Sequence, residues 1–256
     1  EKKKQNIILR SKVINYIRKY LTDRDFLEIE TPLLTASTPE GARDFIVPSR
    51  LHPGTFYALP QSPQQYKQLL MVAGMERYFQ LARCLRDEDM RGDRQPEFTQ
   101  LDFEMSFTNQ DEILDLIEGL YTEIIEKLTD KKIQQKPWPR LNYSDVIAKY
   151  GIDKPDLRFG LEFIDLNQVF ASSAFQVFQN TLKNSGIIRA LNIPGLGATY
   201  TRSQLDDLVD QAKKLGAEGL IWIVVEKDNL KAPVVKFFSP EEQQELLKTT
   251  KAKPGD

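Results

Sequence analysis

From Arg83 to Glu104 the chain reads RCLRDEDMRGDRQPEFTQLDFE, and more than half of these residues are charged or amide-bearing. No other stretch constrains the fold as much. Its flanks, RYFQLARCL and EFTQLDFEMSF, have the composition and alternation of strands, so the segment reads as a hairpin with a long polar tip. Period two puts Phe98, Gln100, Asp102 and Glu104 on one face of the second strand and Thr99, Leu101, Phe103 and Met105 on the other. The second face is expected to meet the core. The first presents an aromatic plane, an amide and two carboxylates.

A sheet with one face in water accounts for such alternation by itself. The tip, where Arg86, Arg91 and Arg94 interleave with Asp87, Glu88, Asp89 and Asp93, is on the simplest reading a solvated charged loop. The other reading buries the polar face, where every unpaired group would cost about 1–3 kcal/mol unless a polar ligand filled it. Guanidinium forks suit phosphate. Carboxylates accept from an amine or hold a metal ion, and Phe98 offers a base a stacking surface. Together these parts fit a nucleotide.

Composition removes several other chemistries. With 256 residues and 41% apolar content the chain can bury one large core or two modest ones. A formal charge of −2 gives no bulk attraction for nucleic acid, so such contacts must come from local basic patches. One cysteine, Cys84, excludes an internal disulfide and a multi-thiolate metal site, and points to a reducing, cytoplasmic setting. The one histidine, His52, precedes Pro53 and Gly54 in a turn context and leaves little material for zinc or Ser-His-Asp chemistry. No apolar run approaches a membrane span, and EKKKQNIILR lacks the features of a signal peptide.

In chain order, helical spacing predicts a helix over 7–23, then a short strand in FLEIETP edged by Pro32. TASTPEGARDF reads as a mobile loop, and IVPSRLHPGTFYALPQSP as short strands broken by prolines. A helix is expected from near Pro63 through QQYKQLLMVAG. The turn before it carries Gln61 and Ser62, and its start Gln64 and Lys67, groups able to grip a small zwitterion or acid. Asn109 caps a helix over 109–128, with Glu112 closing a capping box. TDKKIQQKPWPR reads as a linker. From about Phe159 the strands IIRALNIPG, GLIWIVVE and PVVKFF alternate with helices at SQLDDLVDQAKKLG and SPEEQQELLKT, the pattern of a separate α+β module. NIPGLGATYTRSQ lacks a phosphate-loop lysine and reads as an ordinary strand-to-helix loop.

The Arg83–Glu104 segment resembles motif 2 of the class II aminoacyl-tRNA synthetases, and RDEDMRGDRQPEFTQLD is similar to their aspartyl branch in its bacterial form. FLEIETPLL resembles motif 1, the helix and strand of that family's dimer interface. STPEGARDF resembles its flipping loop and LPQSPQQYKQLLM its amino-acid-binding segment. The fold so implied is α+β, with a partial class II antiparallel sheet flanked by helices in residues 1–158. A GAD-like insertion domain follows over 159–250, and a return linker over 251–256.

The resemblance implies an aspartate-tRNA ligase that uses ATP with Mg²⁺, binds tRNA and forms a homodimer. Gln64 and Lys67 would hold L-aspartate, Lys67 through its side-chain carboxylate, with Ser62 and Asp102 near its ammonium and Glu40 on the closing loop. Arg86 would bridge the aspartate carboxylate and the α-phosphate as the catalytic residue. Asp87 and Glu88 would lie at ATP or the tRNA acceptor end, Gln95 would contact ATP, Phe98 would stack on adenine, and Gln100 would line the same pocket. The family's anticodon-binding barrel and motif 3 have no counterpart in these residues. The metal ligands are therefore expected mainly in a further catalytic part, and little activity is expected of this piece alone. Competing expectations are a related asparaginyl or lysyl ligase, and a non-enzymatic tRNA-binding or regulatory module on the same scaffold.

Overall fold

The computed structural model describes residues 1–256. Helix α1 (Lys2–Thr22) leads into β1 (Leu27–Glu28), and β2 (Ile46–Pro48) pairs antiparallel with β3 (Phe56–Ala58). Next come α2 (Gln64–Val72), the strands β4 (Arg77–Leu85) and β5 (Glu97–Met105), and α3 (Gln110–Leu128). The expected hairpin forms, running in antiparallel register from Arg77 opposite Met105 to Leu85 opposite Glu97. The sheet order is β1-β4-β5. It is not wholly antiparallel, as had been expected, because β1 runs parallel to β4, with Leu27 opposite Tyr78. The long connection from β1 to β4 permits this crossover, which no tight turn could make.

The apolar face of the hairpin meets α1 and α3, and Leu101, Phe103 and Met105 pack against a buried cluster that includes Tyr20, Leu21, Phe26, Phe79 and Leu120. Tyr20 donates from its hydroxyl to the Leu116 carbonyl at 3.1 Å where the two helices cross. Asn109 caps α3 by accepting from the Glu112 N–H at 3.1 Å. The capping box is a variant of the expected one, because the Glu112 carboxylate accepts from the Asn109 side-chain amide and the Thr108 hydroxyl. On the opposite, polar face lies α2, whose Lys67 reaches the side chains of β5.

The chain divides into two compact units, Glu1–Pro139 and Arg140–Asp256. Residues 140–158 lie in the second unit. Helix α4 (Tyr143–Tyr150) binds forward to the antiparallel pair of β6 (Phe163–Asp165) and β7 (Arg189–Leu191), with Tyr150 donating to Glu162 and Arg189 to the Ala148 carbonyl. The rest of this unit is α5 (Gln176–Lys183), α6 (Arg202–Lys214), the paired β8 (Val224–Val225) and β9 (Leu230–Lys231), and α7 (Pro240–Thr250). Its core gathers Leu166, Phe170, Ile188, Val225, Leu230, Phe238 and Leu246. PVVKFF is a 3₁₀ turn at Val235–Phe237 and not the expected strand, since a short apolar run is compatible with either state and tertiary packing decides. No helix is long and apolar enough to cross a membrane.

Candidate functional site

The polar face of the hairpin is closed by α2. Pro63 sits at its N-cap position, and Gln64 and Lys67, three residues apart, share one side of the first turns. Lys67 Nζ lies 2.8 Å from Asp102 Oδ1 and 3.2 Å from Glu104 Oε2. Lys67 and Asp102 are buried and Glu104 is half-buried. Burial pulls the Lys67 pKa down, but hydrogen bonds and charge from Asp102 and Glu104 outweigh it, so the net shift is upward and the ammonium is held charged. One cation therefore faces two carboxylates.

The loop at 35–44 is tied down at the edge of this face. Glu40 accepts from the Ser62 hydroxyl at 2.7 Å and from the Thr38 hydroxyl at 3.0 Å. Gln61, buried, exchanges hydrogen bonds with both backbone groups of Ala42 and donates to Asp44. Arg43 and Asp87 exchange 2.9 Å hydrogen bonds, through the Arg43 side chain and carbonyl and the Asp87 carbonyl and N–H, linking this loop to the hairpin.

Arg86 begins the tip, its backbone N–H bonded to the Pro96 carbonyl at 2.8 Å, and its guanidinium lies 5.1 Å from the Phe98 ring centroid. Gln100 sits below, accepting from the Cys84 thiol at 3.6 Å. Burial pushes that thiol up to about 11, against the pull of Arg86, so Cys84 is no nucleophile at neutral pH. Arg86 Nε and Asp102 Oδ2 are both buried without a hydrogen-bond partner. Native structures leave few such groups. Here one is a charged donor and the other a charged acceptor, both projecting from the same hairpin.

Of the residues singled out in the sequence, the structure assembles Glu40, Ser62, Lys67, Arg86, Phe98, Gln100 and Asp102 on or beside one surface, with Gln64 half-buried at the head of α2. Asp87, Glu88 and Gln95 lie exposed on the tip. Sequence reasoning missed Gln80, buried directly across the ladder from Asp102. A lone amide inside the apolar strand RYFQLARCL was the available signal. No three His, Cys, Asp or Glu side chains converge as a metal site.

The family model described as tRNA synthetases class II (D, K and N) matches residues 1–253. Over all 256 residues the chain is 60% identical to Aspartate–tRNA(Asp/Asn) ligase of Rubrobacter xylanophilus and 53% identical to the protein of that name from Aquifex aeolicus. It is 50% identical over 252 residues, 98% of its length, to Aspartate–tRNA ligase of Geobacillus kaustophilus. In each case the chain spans 42% of the length of the curated relative it matches.

Proposed function

The chain belongs to the class II tRNA synthetases of the D, K and N group, and from that premise we propose that its hairpin face activates L-aspartate with ATP for transfer to tRNA. One observation carries the reading. The buried Asp102 Oδ2 wants a donor and the buried Arg86 Nε wants an acceptor, and an amino acid meeting a phosphate supplies both. Its ammonium suits Asp102 with Ser62 and Gln64 nearby, its side-chain carboxylate suits Lys67, and its α-carboxylate and the α-phosphate suit Arg86. The adenine stacks on Phe98 beside Gln100, while Asp87, Glu88 and Gln95 on the tip face the phosphates or the tRNA acceptor end. Glu40, on the tethered loop, closes over the amino acid.

The first step needs no general base, because a carboxylate with pKa near 4 is already ionised at neutral pH. The α-carboxylate attacks the α-phosphorus and pyrophosphate leaves. The protein contributes alignment, and Arg86 offsets the negative charge that builds on the phosphoryl oxygens. Mg²⁺ accompanies ATP in this chemistry, and no step here runs through it. The aspartyl group then passes to the terminal adenosine of tRNA. Selection against asparagine is assigned to Lys67, whose ammonium attracts a side-chain carboxylate more strongly than a neutral amide.

We further assign residues 159–250 to the GAD-like insertion domain, which the separate core of the second unit supports. The exposed leucines of the α1–β1 segment support a homodimer formed through it. The test is amino-acid-dependent ATP–pyrophosphate exchange by the native protein. Exchange with L-aspartate well above that with asparagine or lysine is expected. Equal exchange with all three, or none with aspartate, would falsify the assignment.

A further inference from the structure

Gln80 has a chemical position that nothing in the proposed reaction uses. It is buried, stands opposite Asp102 in the ladder, and its Oε1 accepts two hydroxyl protons, from Tyr78 at 2.9 Å and from Thr31 at 3.0 Å. Both lone pairs of that oxygen are thereby filled. Tyr78 is fully buried, and burial, followed by the charge and hydrogen-bonding reach of the Asp102 carboxylate, pushes its hydroxyl's pKa up. The hydroxyl therefore stays protonated, with a single proton to give. Two acceptors stand near it, the Gln80 amide oxygen and Asp102. In the structure the hydroxyl lies at hydrogen-bonding distance and angle from Gln80 Oε1, and Asp102 Oδ2 has no hydrogen-bond partner.

An anionic carboxylate is the stronger acceptor of the two, so the observed arrangement needs a cause. Thr31 provides it: its hydroxyl, donating to the same oxygen, orients the Gln80 amide with the carbonyl end toward Tyr78. Were the amide reversed or removed, the Tyr78 proton would turn to Asp102 and occupy the lone pair intended for a ligand ammonium.

We propose that Gln80, held by Thr31, is a positioning residue that keeps the Tyr78 proton off Asp102 and so preserves Asp102 as an acceptor for the α-ammonium of the amino-acid substrate. The inference rests on the reading of the site as an amino-acid-activating one. Its effect is confined to the amino acid, since neither Gln80 nor Tyr78 touches the Arg86–Phe98 side of the face.

The experiment measures pyrophosphate exchange by the native protein and by Gln80→Met, Tyr78→Phe and the double variant, with melting temperatures to verify folding. Wild-type exchange tests the underlying reading separately, because it is independent of either substitution. Gln80→Met is expected to raise the KM for L-aspartate about tenfold or more, with the KM for ATP within about twofold of wild type. Adding Tyr78→Phe removes the competing proton and is expected to bring the aspartate KM back to within about threefold of wild type. Tyr78→Phe alone leaves Asp102 open, so its aspartate KM is expected within about twofold of wild type. Absence of rescue in the double variant, or equal losses for both substrates in Gln80→Met, would overturn the proposal. If Gln80→Met does not fold, a large rise in aspartate KM for Tyr78→Phe overturns it by itself, since that would make Tyr78 a direct support of Asp102.

Discussion

At the scale of single residues, the polar face holds buried charged atoms that its own side chains do not satisfy. Arg86 has a buried guanidinium nitrogen with no partner, so removing it strands no acceptor and relieves an unmet donor. Arg86→Ala is therefore expected to leave the melting temperature unchanged or slightly higher, while exchange activity falls roughly 100- to 1,000-fold, the loss typical of one preorganised charge-stabilising group. Parallel melting curves and exchange assays check both halves. Lys67 is the opposite case, because its ammonium separates Asp102 from Glu104. Lys67→Met brings two carboxylates together without their cation and is expected to cost about 3 kcal/mol of stability, the scale of breaking a buried pair from one side. Calorimetry on the same variant is expected to show aspartate affinity lost far more than ATP affinity. The pH dependence has a definite sign. The folded pKa of Lys67 lies above its ordinary 10.5, so its contribution is whole below that value and disappears as pH rises through the folded one. The stability gap between wild type and Lys67→Met is then constant from neutral pH to about pH 10 and narrows beyond it; a gap that widens above that pH would refute the pairing.

At the scale of elements, helix α3 shows which parts of the fold the sequence discloses. Its apolar period and its Asn109 cap were readable because both are local, set by residues three or four apart. Gly119, inside the same helix, was not. A Cβ there would meet the Tyr20 hydroxyl at 2.5 Å, a constraint imposed by α1 from a hundred residues earlier. Gly119→Ala gains about 1 kcal/mol of helix propensity and displaces a buried tyrosine bonded to the Leu116 carbonyl. Overpacking costs about 1–3 kcal/mol, and losing that hydrogen bond adds about 1 more, so the variant is expected to be less stable by urea unfolding. In a Tyr20→Phe background the same change is expected to be neutral or stabilising. The same division runs through the candidate site. Alternation along β5 disclosed Phe98, Gln100 and Asp102, since period two is a property of that strand alone. That α2 would lie across this face and bring Lys67 to Asp102, or that Glu40 would bind Ser62, depends on elements arriving from elsewhere in the chain. The resemblance to a known family grouped these residues around one amino acid but did not pair Lys67 with Asp102 or Glu40 with Ser62. PVVKFF misled for the converse reason, an apolar run too short to carry a period of its own.

At the scale of the whole molecule, the surface left over by the first unit has its own logic. Strand β1 is the edge of its sheet, paired to β4 alone. Along it and just beyond, Leu27 is 52% exposed, Leu33 50% and Leu34 55%. An edge strand carrying aliphatic side chains invites pairing with a second chain unless something guards it. Glu28 offers limited protection, since both oxygens of its carboxylate accept from Arg18 Nε, at 2.9 and 3.0 Å. Burying the exposed half of each leucine is worth roughly 1 kcal/mol. A twofold axis counts each contribution twice, because the same patch serves both partners. The same doubling makes the surface sensitive to charge: one lysine substitution places two ammonium groups in the interface. For the homodimer proposed above, Leu27→Lys combined with Leu33→Lys is therefore expected to shift the native protein to monomer at micromolar concentration, read by sedimentation, without lowering the melting temperature of the monomeric unit. A sedimentation coefficient that does not move would show that the α1–β1 leucines face something other than a second copy.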